Sequence, residues 1–262
     1  MSVAVAFDKA RAEGRAALVG YLPAGFPTVP RAVAAIRAMV AAGVDVVEVG
    51  LPYSDPVLDG PVIQRASEAA LAAGFRVRDL LSTVEAVAGV GAPVVVMTYW
   101  NPVERYGVAA FARDLAAAGG SGLVTPDLIP DEADEWLAAS DTHDLDRIFL
   151  VAPSSTDARV RATAGACRGF VYAASVMGVT GARDATSAVA PELVARVRHA
   201  TDLPVGVGLG VRDGAQAAAV GAYADGVIVG SALVSCVADA PDDLGPLRAL
   251  VTELAAGVRR SL

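Results

Sequence analysis

Short runs of Val, Ile, Leu and Ala alternate along the chain with stretches whose apolar residues recur every three or four positions. The short runs cover residues 17–22, 44–51, 93–99, 122–126, 147–152, 170–175, 204–209 and 226–230. Each is nearly continuous, the pattern of a parallel strand covered on both faces. The stretches between them read as helices. Residues 61–73 place Val62, Ala66, Ala69, Ala70 and Ala73 at helical spacing, with Pro61 at the start and Gly74 just past the end. Residues 77–87, 111–118, 132–139, 191–199 and 242–258 supply others. Eight strands, each followed by a helix, in 262 residues match the count and size of a (β/α)8 barrel. The rival is a doubly wound open sheet, but no Gly-x-Gly-x-x-Gly follows the first run. No Ser/Gly/Pro-rich linker divides the chain. The expectation is one α/β domain over residues 1–262, a (β/α)8 barrel with extra N-terminal and loop helices.

Composition narrows the function. Hydrophobic residues make up 54% and the net charge is −8, so a large core is available and disorder is excluded. An acidic chain lacks the basic footprint for nucleic acid or anionic membranes. No apolar run is long enough to span a bilayer, and the N-terminus has no signal-peptide pattern, which predicts a cytoplasmic protein. Cys167 and Cys236 make neither a disulfide framework nor a metal site. Lys9 is the only lysine and precedes the first strand, which argues against Schiff-base chemistry. His143 and His199 sit in polar stretches without zinc-ligand spacing. Acid/base work then falls to carboxylates, tyrosines or backbone dipoles.

In a barrel the active site gathers at the C-terminal ends of the strands. There the second strand carries Glu48 at the parity of Val44 and Val46. A carboxylate between valines is costly unless paired or used. It is either a general acid/base at the barrel mouth or the partner of an arginine on a covering helix. Asp59 follows, just before a Pro-initiated helix. It is either a second functional carboxylate or an ordinary helix cap. Residues 52–56 form a polar, Pro-rich loop suited to covering the mouth. Gly206, Gly208 and Gly210 end the seventh strand, and Gly230-Ser231 ends the eighth. Loops at those two places bind phosphate in barrels through backbone N–H groups and a helix N-terminus, which needs no lysine. After the sixth strand, Gly178 and Gly181 bracket a small polar loop with the composition of a lid. Tyr172 shares parity with Phe170 and faces either the core or the site.

Together these motifs resemble the tryptophan synthase α subunit family over nearly the whole chain. The resemblance is carried by residues 22–28, by Val47-Glu48-Val49-Gly50-Leu51-Pro52-Tyr53-Ser54-Asp55-Pro56, and by residues 59–64, 97–102 and 126–128. Residues 169–172 and 178–181, then Gly208 and Gly230-Ser231, complete it. It implies retro-aldol cleavage of indole-3-glycerol phosphate to indole and glyceraldehyde 3-phosphate, with no Schiff base or metal. It implies Glu48 as the general acid/base and Asp59 as acceptor of the indole N–H. Tyr172 would line the site, Thr180 would sit on the lid, and amides of Gly181, Gly208, Gly230 and Ser231 would hold the phosphate. The apolar indole slot would be lined by Tyr21, Met97 and Val207.

The resemblance also implies a partner, a pyridoxal-phosphate β subunit in an α2β2 assembly, with residues 52–56 towards the interface. No cofactor is expected on this chain itself. Tyr21 and Tyr53 stand where the family commonly has phenylalanine, and Asp184 is an unplaced charge in the lid. Rival readings are a free-standing lyase releasing indole, a catalytically weak homologue that activates a β subunit, and an isomerase of an aminoaldose phosphate. The Glu48 and Asp59 pair argues against the second, and the strand-two string against the third.

Overall fold

A computed structural model describes residues 2–174, 186–208 and 210–259. The strands are β1 (Ala17–Pro23), β2 (Val46–Gly50), β3 (Val94–Met97), β4 (Gly122–Thr125), β5 (Asp146–Val151), β6 (Val171–Ala174), β7 (Val205–Gly208) and β8 (Gly226–Val229). All pair in parallel and in sequence order, and β1 pairs with β8 to close the barrel. The helices are α1 (Ala4–Ala12), α2 (Val29–Ala42), α3 (Pro61–Ala72), α4 (Val77–Val87), α5 (Trp100–Tyr106), α6 (Val108–Ala117), α7 (Asp134–Thr142), α8 (Asp157–Ala166), α9 (Thr186–Arg198), α10 (Gly214–Gly221), α11 (Ser231–Asp239) and α12 (Gly245–Val258). Among the described residues no helix is long and apolar enough to cross a membrane.

Each expected strand is present, most of them shorter than the apolar run that announced it. Pro93 has no N–H for the ladder, and Tyr99 turns out of β3 to become the N-cap of α5. The helix expected at residues 132–139 divides into a 3-10 turn, Pro130–Glu132, and α7. Pro191 lies inside α9 rather than at its start.

Strand side chains alternate between the lumen and the helix layer. Ala17, Val19, Val46, Val95, Val124, Ile148, Phe170 and Ile228 form one buried cluster in the lumen, and Val3, Ala6, Phe7 and Ala10 of the α1 region join it. This helix therefore plugs the mouth at the N-terminal ends of the strands. Phe7 stacks on Phe170 with ring centroids 5.1 Å apart. It occupies the space that Gly226 leaves, since a Cβ there would meet its ring at 2.6 Å. The plug is anchored by fully buried Asp146, which accepts the Val3 N–H at 2.7 Å and the Ser2 hydroxyl at 3.1 Å. With this end of the lumen filled, the candidate carboxylates stand at the opposite, C-terminal mouth.

Candidate active site

The register of β1 and β2 sets Tyr21 beside Glu48, both pointing into the lumen above the Val19 and Val46 layer. Glu48 is 1% exposed. Neither carboxylate oxygen has a hydrogen-bond partner, and among the described residues no cation pairs with it. The covering-helix ion pair is thus not formed. Burial, reinforced by the negative charge of Asp59, pushes the Glu48 carboxyl up to about 8. At neutral pH it carries a proton and can donate it.

Asp59 lies on the loop between β2 and α3, half buried. The N-cap of α3 is Gly60, and no side chain caps that helix. Asp59 is therefore free of the capping role that its position suggested. Its carboxyl is raised by burial, and the Tyr99 hydroxyl opposes the rise. Burial raises Tyr21 and Tyr172 well above the phenolic range, and the charges of Glu48 and Asp59 add to it. Two carboxylates and two phenols thus lie within electrostatic reach of one another, and no cation is among the groups acting on Glu48, Tyr21 or Tyr172.

The glycines of β7 and β8 open the opposite wall. A Cβ on Gly208 would lie 2.4 Å from the Tyr172 hydroxyl, and one on Gly230 would lie 3.3 Å from the Tyr21 ring. Both tyrosines therefore lean over bare backbone. Gly230 is the N-cap of α11 and Ser231 its first residue, with no side-chain cap. The unpaired N–H groups and positive dipole end of that helix suit an anion. Among the described residues no cluster of His, Cys, Asp and Glu could hold a metal ion.

The model of the family described as tryptophan synthase alpha chain matches residues 7–258. The chain belongs to that family. It is 71% identical over 260 residues to the tryptophan synthase alpha chain of Salinispora arenicola, covering 98% of this chain and 97% of that one. It is 68% identical over 253 residues to that of Mycobacterium tuberculosis, covering 97% and 93%. Among solved structures, tryptophan synthase of Mycobacterium tuberculosis superposes with a TM-score of 0.92 at 65% identity, covering 98% of each chain. The tryptophan synthase subunit alpha of Legionella pneumophila gives 0.86 at 32% identity, covering 100% of this chain and 98% of that one. Membership makes the chain a carbon–carbon lyase of tryptophan synthesis, acting on indole-3-glycerol phosphate.

Against that alpha-chain reaction, the structure brings Glu48, Asp59, Tyr21 and Tyr172 to one mouth. Met97, half buried at the end of β3, pairs in register with Gly50 at the same mouth. Gly208, Gly230 and Ser231 stand on the far wall. Thr180 and Gly181, with most of the expected lid, lie outside the described residues. Val207 is the correction. It alternates with Gly206 and Gly208, whose missing side chains would meet the lumen residues Phe170, Ile228 and Tyr172. Val207 is fully buried and belongs to the outer core between strands and helices, so it does not line the slot. The sequence reading also passed over Tyr99 as a site residue. Its hydroxyl accepts the Leu58 N–H at 3.0 Å, and its ring packs on Tyr53 with centroids 5.2 Å apart. The Tyr53 hydroxyl in turn accepts from the Asn101 amide at 3.2 Å, away from the lumen cluster.

Proposed function

We propose that Glu48 and Asp59 divide the proton work of the cleavage, and that the glycine wall holds the substrate phosphate. The observation carrying this reading is Glu48 itself, a buried carboxyl with both oxygens unpartnered, a setting that favours its protonated form. Protonated Glu48 gives its proton to the indole ring carbon that carries the glycerol chain. The carbon–carbon bond then breaks, its electron pair moving into the ring and neutralising the iminium nitrogen. The adjacent hydroxyl becomes the aldehyde, and its proton returns to the Glu48 carboxylate. Glu48 ends as it began. Asp59 accepts the indole N–H, where positive charge develops in the transition state. Tyr21, Met97 and Tyr172 line the indole slot. Amides of Gly181, Gly208, Gly230 and Ser231 hold the phosphate, which orients the reacting chain, and Thr180 belongs to the lid over it.

This reading needs no cofactor on the chain and places the enzyme in the cytoplasm. Its partner is a β subunit carrying pyridoxal phosphate in an α2β2 assembly. Val57 and Leu58, on the loop between β2 and α3, are 73% and 43% exposed, and an apolar rim beside a site suits a docking protein. The test is indole release from indole-3-glycerol phosphate by the purified chain, alone and with a β subunit. Slow release that rises at least tenfold with β is expected. Fast release indifferent to β would favour a free-standing lyase, and no release in either case would remove the reaction.

A further inference from the structure

We infer that Phe7 is a positioning residue for the substrate slot, setting Tyr172 through Phe170 in a column of three rings that runs up the lumen from the plugged mouth towards the open one. This rests on the reading that Tyr172 lines the slot.

The column has a contact at each step. The Phe7 and Phe170 centroids are 5.1 Å apart with their planes tilted by 34°, and those of Phe170 and Tyr172 are 6.4 Å apart at 31°. Both separations suit attractive aromatic pairs. Each ring takes the room left by a glycine. A Cβ on Gly226 would meet the Phe7 ring at 2.6 Å, one on Gly206 the Phe170 ring at 3.0 Å, and one on Gly208 the Tyr172 hydroxyl at 2.4 Å. Phe7 and Phe170 are buried, whereas Tyr172 packs on their cluster and is only half buried. The column therefore ends in the one ring that substrate can touch.

Its lower end is seated on the chain that leads into β6. Val3 lies on the bare backbone of Gly169, where a Cβ would meet a Val3 methyl at 2.7 Å. Asp146 of β5 accepts the Val3 N–H at 2.7 Å and pairs with Arg168 at 3.5 Å. The plug is thus located against residues 168 and 169, immediately before Phe170. Phe170 and Tyr172, two positions apart, share the lumen face. Among the described residues no ring contact joins Phe7 to Tyr172, so Phe7 acts through Phe170.

An interior packed to crystal-like density transmits a change of shape to its neighbours. In Phe7→Leu the flat face under Phe170 is lost. Phe170 settles towards the plug, and Tyr172 follows it away from Gly208. A slot wall displaced in this way holds the substrate less well, and a misplacement near 1 Å costs on the order of 100-fold.

The experiment is steady-state indole release with saturating β subunit by the parent, Phe7→Leu, Tyr172→Ala and the double variant. Leu115→Ala is the control, a fully buried position of α6 in the outer core. Phe7→Leu is expected to lower kcat/KM about tenfold, mostly through KM, and to add less than twofold in the Tyr172→Ala background. Leu115→Ala should lower Tm at least as much as Phe7→Leu and leave KM within about twofold of the parent. Phe7→Met, closer in volume, replaces Phe7→Leu if that variant does not fold, with the same expectations. An unchanged KM in the residue 7 variant would overturn the inference. So would its full loss repeated in the Tyr172→Ala background, or an equal rise of KM in Leu115→Ala, which would make the effect one of stability alone. If Tyr172→Ala by itself left KM and kcat at parental values, the reading of Tyr172 as a slot wall would fail, and the inference with it.

Discussion

Glu48→Gln should lower indole formation by roughly 100- to 10,000-fold while substrate binding stays near the parental value. Glutamine keeps the shape and cannot cycle the proton. The same variant should gain stability at alkaline pH. In the unfolded chain the Glu48 carboxyl ionises near its ordinary 4.5, and in the fold near 8. The folded state therefore holds a proton that the unfolded state has lost, and stability falls as pH rises from below the first value to above the second. The full penalty, reached above pH 8, is on the order of 5 kcal/mol. Glutamine removes it, but leaves a buried amide without partners, a cost of roughly 1–3 kcal/mol. At pH 9 the variant should resist urea better than the parent, and at pH 5 the order should level or reverse. Urea midpoints across that range check it. Parallel profiles would mean that Glu48 ionises as readily folded as unfolded, and with that the proton-donor role would lose its basis.

This exchange of stability for activity explains why the site looks frustrated. A carboxyl with an arginine partner would be cheaper to bury and useless as an acid at neutral pH, because the pair would hold it ionised. Glu48 instead has a lumen position, an aspartate in electrostatic range and no cation. Asp59, only half buried and opposed by the Tyr99 hydroxyl, is raised less decisively. Two like groups in unlike surroundings are thus shifted unequally, and the one without partners is the one kept as the acid.

The barrel was legible because parallel strands buried on both faces leave continuous apolar runs, and eight of them recur. Their ends were less so, since apolarity persists past the last paired residue, as at Leu51 after β2 and Tyr99 after β3. The helix read at residues 111–118 starts earlier, at Val108, and α5 precedes it unannounced; Gly107, at φ 94°, divides the two. The carboxylates were legible because a charge among valines is costly. The wall of the slot was not. Sequence reading looks for side chains, and on β7 it found Val207, which points outward. The lumen positions Gly206 and Gly208 have none, and the room they leave is taken by Phe170 and Tyr172 from the neighbouring strand. Tyr99 escaped for a related reason. Its hydroxyl meets a loop 41 residues away in sequence, an approach that no local pattern records.

Ser231→Asp should raise KM for indole-3-glycerol phosphate by about 100- to 1,000-fold without harming the fold. As the first residue of α11, Ser231 sits at the positive end of the helix dipole. A carboxylate there is favourable to the unliganded helix by roughly 0.3–1 kcal/mol. Towards a bound phosphate the same charge is repulsive. Like charges about 4 Å apart cost about 4 kcal/mol each pair at a partly screened surface, and the half-burial of Ser231 leaves water to reduce that. Stability and affinity thus move in opposite directions. Ser231→Ala separates charge from lost contact, because it removes only a hydroxyl worth roughly 0.5–1.5 kcal/mol and leaves the backbone N–H in place. A mild effect of alanine beside a large one of aspartate, with Tm equal or higher in the aspartate variant, would place the phosphate at this helix start. An aspartate variant with parental KM would put the phosphate elsewhere, and the order of the slot, from Asp59 at one end to Gly230 at the other, would have to be redrawn.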